Sequence, residues 1–170
     1  MIIMSWNCRG LGNHSVVWVF TDVVRSKGPN ILFLMETKLS VNDMILIRDE
    51  LGYRSMLAVP SVRRSGGLAL LWKDDVTVNA QTYSLNHIDA KIMVSPQVEG
   101  HLTGVYGHLK DQRNKETWFY CGISILGPPC HGFALVILMK SCHLMKKVVV
   151  CLSHWGLCRI FGAPCCIVIL

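Results

Sequence analysis

The chain has 170 residues, of which 51% are hydrophobic and only 16% are charged, with a formal net charge of +6. Soluble domains carry about 25% charged residues, so this composition excludes a disordered or highly charged tail protein. The length fits one domain with one hydrophobic core. The longest uninterrupted apolar stretch near the end, residues 133–139, has seven residues, whereas a membrane-spanning helix needs about 18. We therefore expect no membrane span.

The first residues do not have the pattern of a secretory signal, which needs a basic start and a longer apolar region. Residues 1–4 are apolar but run directly into Ser5, Trp6 and Asn7. The expected location is therefore intracellular, either nuclear or cytoplasmic, and not secreted.

Charge is divided unevenly along the chain. All 11 acidic residues lie in residues 1–116, and residues 117–170 contain no Asp, Glu, Asn or Gln. Residues 1–116 also hold 13 of the 17 Lys and Arg residues, which leaves net charges of +2 and +4 for the two parts. A nucleic-acid footprint needs basic residues clustered on one face. The adjacent basic pairs, Arg63-Arg64 and Lys146-Lys147, indicate such a face only weakly.

Cysteine follows the same division, with Cys8 alone near the start and seven of the eight cysteines in residues 121–166. In a secreted protein this density would predict disulfides, but no signal for secretion supports that interpretation. Zinc binding is an alternative. The segment from Cys142 to Cys158 contains cysteines and histidines but lacks the paired C-x2-C spacing of structural zinc sites, so zinc is not favoured.

The first half of the chain predicts strands separated by helices. Residues 1–6 form a predicted strand, and Gly10 and Gly12 allow a sharply turning loop after it. Residues 14–27 fit either a strand or one face of a helix, and Gly28-Pro29 ends that element. Residues 30–35 then predict a buried strand with Glu36 at its carboxyl end.

A helix is predicted over residues 41–51, with Ser40 as its N-cap and Gly52 as its end. Its inward positions are Met44, Ile45, Ile47 and Leu51. After Tyr53 the pattern changes to five short strands, over residues 54–59, 66–72, 76–83, 87–94 and 101–106. Helix-separated strands followed by hairpins predict an α/β layered sandwich with a mixed sheet.

Residues 112–118 are compatible with a further helix, but from Tyr120 onward the apolar runs keep no clear period. In this part of the chain the local signals for helices and strands no longer agree with one overall fold. We therefore divide the chain into residues 1–118, which carry the fold information, and a divergent hydrophobic, Cys-rich tail over residues 119–170.

The most informative feature is a pair of polar residues at strand ends, Asn7 after the first strand and Glu36 after the second. Catalytic groups in open α/β sheets lie at the carboxyl ends of strands, where loops expose them and the sheet fixes their position. The alternative is that Glu36 is a solvated turn residue. Strand-end position alone does not separate the two interpretations.

Five segments in order carry a family resemblance. They read SWNCRGLG (5–12), FLMETK (33–38), SGGLALLW (65–72), HIDA (87–90) and TGVYGH (103–108). Together they resemble the endonuclease/exonuclease/phosphatase domain of plant LINE-type retrotransposons, over about residues 1–118. The resemblance implies a DNase I-like fold, a four-layer α/β sandwich of which this chain holds the amino-terminal part. It also implies magnesium-dependent hydrolysis of phosphodiester bonds in DNA.

Carried over by motif, Glu36 resembles the family's metal-binding glutamate and Asn7 the asparagine that supports the catalytic centre at the metal. Tyr106 resembles a tyrosine near the scissile phosphate. His108 belongs to the last motif, with a loop-shaping role as its alternative. Mg²⁺ prefers oxygen ligands and usually takes one or two carboxylates, which suits Glu36. His87 and Asp89 also match the resemblance, and we interpret them as strand-pairing residues.

Two family motifs are missing: a Gly-Asp-Phe-Asn strand end and a later Asp/His pair. Since no acid follows Glu116, the tail offers no carboxylate to replace them. Catalytic residues act together, so an enzyme that lacks some of them loses most of its rate enhancement. We expect an inactive, truncated copy. An active magnesium nuclease and a non-catalytic remnant that binds nucleic acid are the alternatives.

The amino acids of the tail permit a set of codons that encodes a family motif in another reading frame. Residues 131–147 read HGFALVILMKSCHLMKK, and one permitted set of codons, shifted by one nucleotide, encodes PWFCFGDFNEILSFDEK. This alternative contains the missing Gly-Asp-Phe-Asn. Our hypothesis is a frameshift between about Trp118 and Cys130. A part-sandwich would also leave a sheet edge exposed, so self-association is expected.

Overall fold

The computed structural model describes residues 1–63, 65–95, 98–107, 132–140 and 166–169. In this part of the chain there are two helices and nine strands. The elements are β1 (Ile2–Asn7), α1 (His14–Lys27), β2 (Ile31–Met35), α2 (Val41–Leu51), β3 (Ser55–Val59), β4 (Leu68–Trp72), β5 (Thr77–Tyr83), β6 (His87–Ser95), β7 (Val98–Gly107), β8 (Gly132–Lys140) and β9 (Cys166–Ile169). They fall into two compact units, Met1–Thr77 with Phe161–Leu170, and Val78–Ile160.

The first unit contains a five-stranded sheet in the order β3-β4-β2-β1-β9. Strand β1 is parallel to β2 and to β9, whereas β4 is antiparallel to both β2 and β3. The register of β1 and β2 pairs Asn7 with Met35. Because the two parallel strands end at the same level, the residues at and just after their carboxyl ends lie at one edge of the sheet.

Residues 14–27, which fitted either a strand or a helix, form α1. Asn13 caps this helix, since its side-chain oxygen accepts a hydrogen bond from the Ser15 N–H at 3.0 Å. Gly28 ends it with a φ of 58°, and its N–H donates to the Val24 carbonyl at 2.8 Å. The caps at both ends outweigh the strand preference of the β-branched residues between them.

The prediction of α2 is confirmed, including both caps. Ser40 and Asp43 form a capping box, in which the Asp43 N–H donates to Ser40 Oγ at 3.2 Å. Gly52 ends the helix with a φ of 75°. Of the residues predicted to face inward, Met44 is buried with Ile47, while Ile45 and Leu51 are half-buried.

Both faces of the first sheet are buried along β2, whose five residues each have 0% exposure. On one face the two helices pack against the sheet in a cluster of buried residues: Met4, Cys8, Leu11, Phe20, Val24, Leu32, Leu34, Met44, Ile47, Tyr53, Ala69 and Leu71. On the other face Ile31, Phe33 and Met35 are buried as well. This is why β2 reads as a continuous apolar run rather than an alternating one.

The second unit contains a four-stranded sheet in the order β5-β6-β7-β8. Strands β6 and β7 are antiparallel, and β8 is parallel to β7. The five strands predicted after Tyr53 are confirmed as β3–β7, with ends that differ from the prediction by at most three residues.

No element was predicted for the tail from the sequence, and the structure describes two strands there, β8 and β9. Parallel strands often have continuous apolar sequences, so the missing period did not exclude strands. The helix predicted over 112–118 lies outside the described residues. Among the residues that the structure does describe, no helix is long and apolar enough to cross a membrane.

His87 and Asp89 pair with β7, as the sequence indicated. Asp89 lies opposite Thr103, whose hydroxyl donates to Asp89 Oδ1 at 2.6 Å. His101 Nε2 lies 2.8 Å from the same oxygen. The His87 ring is hydrogen bonded on both sides, to Ser84 Oγ at 2.7 Å and to Thr82 Oγ1 at 3.2 Å. A row of polar side chains, buried or half-buried except for the exposed Thr82, therefore runs across β5, β6 and β7.

The row changes the acidity of two of its members. Burial opposes ionisation of Asp89, but hydrogen bonds from His101 and Thr103 and the charges of the two histidines outweigh it, so the pKa of Asp89 is lowered. Burial lowers the pKa of His87, and the charge of Asp89 offsets this only in part. In both cases the folded state binds protons less readily than the unfolded state, so stability rises with pH.

We predict that Asp89→Ala lowers the free energy of unfolding at pH 7 by about 1–3 kcal/mol, since it leaves buried partners without their acceptor. In the wild type, the free energy of unfolding falls once as the pH drops below the ordinary His value of 6.5. It falls again below the ordinary Asp value of 3.8. Urea denaturation at a series of pH values measures both steps.

Only the more acidic step should disappear in Asp89→Ala, whereas the His87 step should remain and become larger, because the charge of Asp89 no longer offsets the lowering of the His87 pKa. Glu99→Ala is the matched variant, because Glu99 pairs with Lys91 at 3.2 Å on the same two strands but both side chains are more than 40% exposed. It should change stability by about 0–1 kcal/mol. Equal effects of the two variants would contradict the assignment.

Candidate active site

The two polar residues predicted at strand ends are in contact. Asn7 is the last residue of β1, and Glu36 directly follows β2. The Asn7 side-chain amide donates a hydrogen bond from Nδ2 to Glu36 Oε1 at 3.2 Å, and both residues are half-buried. The parallel register of β1 and β2 therefore creates a polar pair at one sheet edge from residues 29 positions apart.

Asn7 is fixed at both ends of its amide group. Its Oδ1 accepts a hydrogen bond from the Arg9 backbone N–H at 3.1 Å, which leaves Nδ2 directed at Glu36. The carboxylate of Glu36 is the stronger oxygen ligand of the two, and the Asn7 oxygen is already engaged. The geometry thus makes Asn7 a residue that orients the Glu36 carboxylate.

The backbone around this pair is strained. Arg9, Glu36 and Lys38 have φ values of 51°, 52° and 55°, in the left-handed region that costs a non-glycine residue about 1–3 kcal/mol. Two backbone hydrogen bonds join the loops that hold them: Cys8 N–H donates to the Met35 carbonyl at 2.8 Å, and Leu11 N–H donates to the Thr37 carbonyl at 2.9 Å. Strain of this kind persists only where the surrounding structure enforces it.

A third loop, just before β4, completes the support of Glu36. The Thr37 N–H donates to the Gly67 carbonyl at 3.2 Å, and the Lys38 N–H donates to the Gly66 carbonyl at 3.1 Å. No structural role could be assigned to Gly66 and Gly67 from the sequence. Their signal was present, since Gly-Gly before an apolar strand predicts a turn with positive φ.

Cys8 lies beside the pair but is not suited to nucleophilic chemistry. Its side chain is buried, with 4% exposure. Burial raises the pKa of the thiol far above its usual range, and the charge of Glu36 adds to this, with a partial offset from the Met35 backbone. Cys8 is therefore a neutral thiol at physiological pH and contributes packing.

The two remaining predicted residues belong to the last motif. Tyr106 lies near the carboxyl end of β7 in the second unit, is half-buried, and donates its backbone N–H to the Asn86 carbonyl at 2.8 Å. His108 lies outside the described residues, as does Leu109 next to it. Among the predicted site residues, the structure describes a hydrogen bond between the side chains of Asn7 and Glu36.

The Glu36 carboxylate could serve as one of the oxygen ligands that a magnesium site requires. Mg²⁺ keeps several waters and is held by one or two carboxylates, and Glu36 supplies one half-buried carboxylate at an open sheet edge. Within the described ranges, no three His, Cys, Asp or Glu side chains are grouped so that they could hold a metal ion. The described residues thus fit a weak site with a single carboxylate.

The fold is similar to that of several solved nucleases and related enzymes. A humanized TDP2 from D. rerio matches with a TM-score of 0.62 and 15% identity over 80% of this chain and 60% of that one. An AP endonuclease from Archaeoglobus fulgidus matches at 0.55 and 16% identity, over 81% of this chain and 56% of that one. The human Nocturnin catalytic domain matches at 0.55 and 11% identity, over 79% and 62%. The predicted DNase I-like α/β fold class is thereby confirmed.

This chain spans about 60% of the length of the TDP2 structure that it matches. No curated protein sequence matches it significantly. Residues 4–144 match the Endonuclease/Exonuclease/phosphatase family, so the match extends beyond residue 118, the bound of the resemblance found in the sequence, and includes β8. The chain belongs to the endonuclease/exonuclease/phosphatase family.

Proposed function

We propose that this chain derives from the endonuclease of a LINE-type retroelement, that its ancestral activity was magnesium-dependent hydrolysis of phosphodiester bonds in DNA, and that this copy is inactive. The observation that carries the ancestral activity is the Asn7–Glu36 hydrogen bond of 3.2 Å at the ends of two adjacent parallel strands. It supplies one oriented carboxylate at the sheet edge, in a chain that belongs to a family of phosphodiester-cleaving enzymes.

Each proposed role follows from the chemistry of the residue. Glu36 would hold Mg²⁺, which when bound neutralises charge that develops on phosphoryl oxygens. Asn7 holds the Glu36 carboxylate in one orientation through Nδ2. Tyr106 provides a phenolic hydroxyl that can donate a hydrogen bond to a phosphate oxygen. His108 belongs to the last motif, and we propose it as a catalytic residue, with a loop-shaping role as the alternative.

The proposed inactivity follows from the acids that are missing. Hydrolysis needs a group that orients or deprotonates the attacking water, and carboxylates usually serve this purpose in magnesium-dependent sites. Residues 117–170 contain no Asp, Glu, Asn or Gln. Because catalytic groups act as a unit, one oriented glutamate retains little of the rate enhancement of the complete set.

The position of β8 supports the proposed frameshift. This strand is parallel to β7 and pairs Ile137 with Gly104 and Met139 with Tyr106. In the shifted frame, the Asp and Asn of Gly-Asp-Phe-Asn overlap codons 137 and 139. The lost carboxylate would then have lain in the last part of this strand, opposite Gly104 and two positions before the pair of Met139 with Tyr106. Parallel sheets carry their catalytic groups toward these carboxyl ends.

We predict that the coding DNA across codons 112–150 spells Gly-Asp-Phe-Asn in an alternative frame without a stop codon. Sequencing the coding strand measures this directly. The frame should change once, between about codons 118 and 130. Codons for residues 131–140 that do not permit this motif would contradict the frameshift and leave the Cys-rich tail as genuine sequence.

For the full-length protein, we predict no magnesium-dependent nicking of supercoiled plasmid DNA above the level of Glu36→Ala. The matched control is Glu50→Ala. It removes an exposed carboxylate in the last turn of α2, outside the loops that hold Asn7 and Glu36. Gel electrophoresis of nicked and supercoiled plasmid measures the rate. Nicking that Glu36→Ala abolishes and Glu50→Ala retains would show an active nuclease and contradict the proposed inactivity.

A non-catalytic nucleic-acid-binding role is the second candidate, and one observation favours it. Arg9 and Lys38 are both exposed, and they flank Asn7 and Glu36 in the two loops at the candidate active site. Among the structural neighbours, the D. rerio TDP2 was solved in complex with a single-strand DNA product. Exposed cations at this edge would attract the phosphate backbone of a bound strand.

This role predicts that the protein binds a fluorescently labelled single-stranded oligonucleotide, and that Arg9→Ala/Lys38→Ala weakens binding and flattens its dependence on salt. About two phosphate contacts would lower the slope of log K against log salt by about 1.4 for a single strand. Arg54→Ala, which removes an exposed arginine paired with Asp74, is the control. Fluorescence anisotropy at several salt concentrations measures both quantities, and equal slopes for all variants would exclude the role.

A further inference from the structure

We propose that Gly67 is a positioning residue for Glu36: because it has no side chain, the loop before β4 can pack directly on Thr37 and hold Glu36 with its carboxylate facing Asn7. The metal role of Glu36 rests on the proposed function, whereas the positioning itself rests on the contacts described below.

The contact between Gly67 and the Glu36 segment leaves no room for a methyl group. A Cβ on Gly67 would overlap Thr37 Oγ1 and would lie 3.1 Å from the Lys38 backbone N. Thr37 is only 2% exposed, so its side chain cannot move outward into solvent. An added Cβ therefore forces the Thr37 side chain to move and crowds the Lys38 backbone, in the segment that directly follows Glu36.

Glu36 has little freedom to absorb such a displacement. The residue before it, Met35, is held through its carbonyl by the Cys8 N–H at 2.8 Å. The residue after it, Thr37, is held through its N–H by Gly67 and through its carbonyl by Leu11. With both neighbours fixed, Glu36 adopts a φ of 52°. A shift of Thr37 changes this dihedral angle and turns the carboxylate away from Asn7 Nδ2.

Gly66 provides a matched control in the same dipeptide. Its φ of 77° is close to the 87° of Gly67, so alanine suffers a similar backbone cost at either position. A Cβ on Gly66, however, would meet nothing within 4 Å. The two substitutions therefore differ mainly in the contacts that the added Cβ makes at Gly67, with Thr37 Oγ1, with the Lys38 backbone N and, at 3.4 Å, with the Ser61 Cβ.

The experiment uses the full-length, ¹⁵N-labelled protein and the side-chain amide resonances of Asn7 in ¹H–¹⁵N NMR spectra. These resonances report the hydrogen bond to Glu36 Oε1 without any metal. Mn²⁺ is then added as a paramagnetic probe that broadens resonances close to where it binds. The variants are Gly66→Ala, Gly67→Ala, Thr37→Ala and the double variant Gly67→Ala/Thr37→Ala, with thermal unfolding measured for each.

Gly66→Ala should lower the unfolding temperature while the Asn7 amide and its broadening by Mn²⁺ stay as in the wild type. Gly67→Ala should shift the Asn7 amide and raise the Mn²⁺ concentration needed for half broadening by about 10-fold or more, as expected when a group that orients a metal ligand is disturbed. In the double variant the overlap with Thr37 Oγ1 is gone, so most of both effects should be reversed. Thr37→Ala alone should retain the wild-type amide.

An Asn7 amide that responds equally to Gly66→Ala and Gly67→Ala would overturn the proposal. If Gly67→Ala does not fold, a folded double variant with the wild-type Asn7 amide supports it, and a double variant that also fails to fold overturns it. If Mn²⁺ broadens nothing even in the wild type while Gly67→Ala still shifts the Asn7 amide, the positioning stands and the metal role of Glu36 fails.

Discussion

The parallel pairing of β1 with β2 is the constraint on which the candidate site depends. It brings Asn7 level with Met35, so Glu36, the next residue, lies within hydrogen-bond distance of the Asn7 amide. The same register allows the Cys8 N–H to reach the Met35 carbonyl, which connects the two loops that leave the strands. A shift of one residue in this register would move Glu36 out of line with Asn7 and break the hydrogen bond between Cys8 and Met35, so the register of the sheet fixes the site.

Three loops then hold one glutamate in a conformation that it would not adopt alone. The loop after β1, the segment after β2 and the glycine pair before β4 exchange backbone hydrogen bonds with one another. These bonds compensate for the positive φ of Glu36 and its neighbours. Such support is typical of sites in which a ligand must keep one orientation.

Several features could be predicted from local sequence, since they depend on neighbouring residues. Helix α2 has its bounds determined by Ser40 and Asp43 at one end and Gly52 at the other. Helix α1 could not be separated from a strand, because its β-branched residues suit both and the deciding cap at Asn13 is a weaker signal. Strands β8 and β9 were missed because parallel strands carry no alternating pattern, and their partners β7 and β1 are distant in the chain.

The sequence by itself determined which chemistry is present: an amide and a carboxylate at two strand ends, five motifs in family order, and no acid after Glu116. Only the tertiary structure decided how these groups are used. In the folded chain Asn7 Oδ1 accepts a hydrogen bond from the Arg9 N–H, and Asn7 Nδ2 donates one to Glu36. Gly67 lies against Thr37, 30 positions away in the chain. The physical reason is that composition and local pattern report on neighbours along the chain, whereas these contacts exist only once β2 has paired with both β1 and β4.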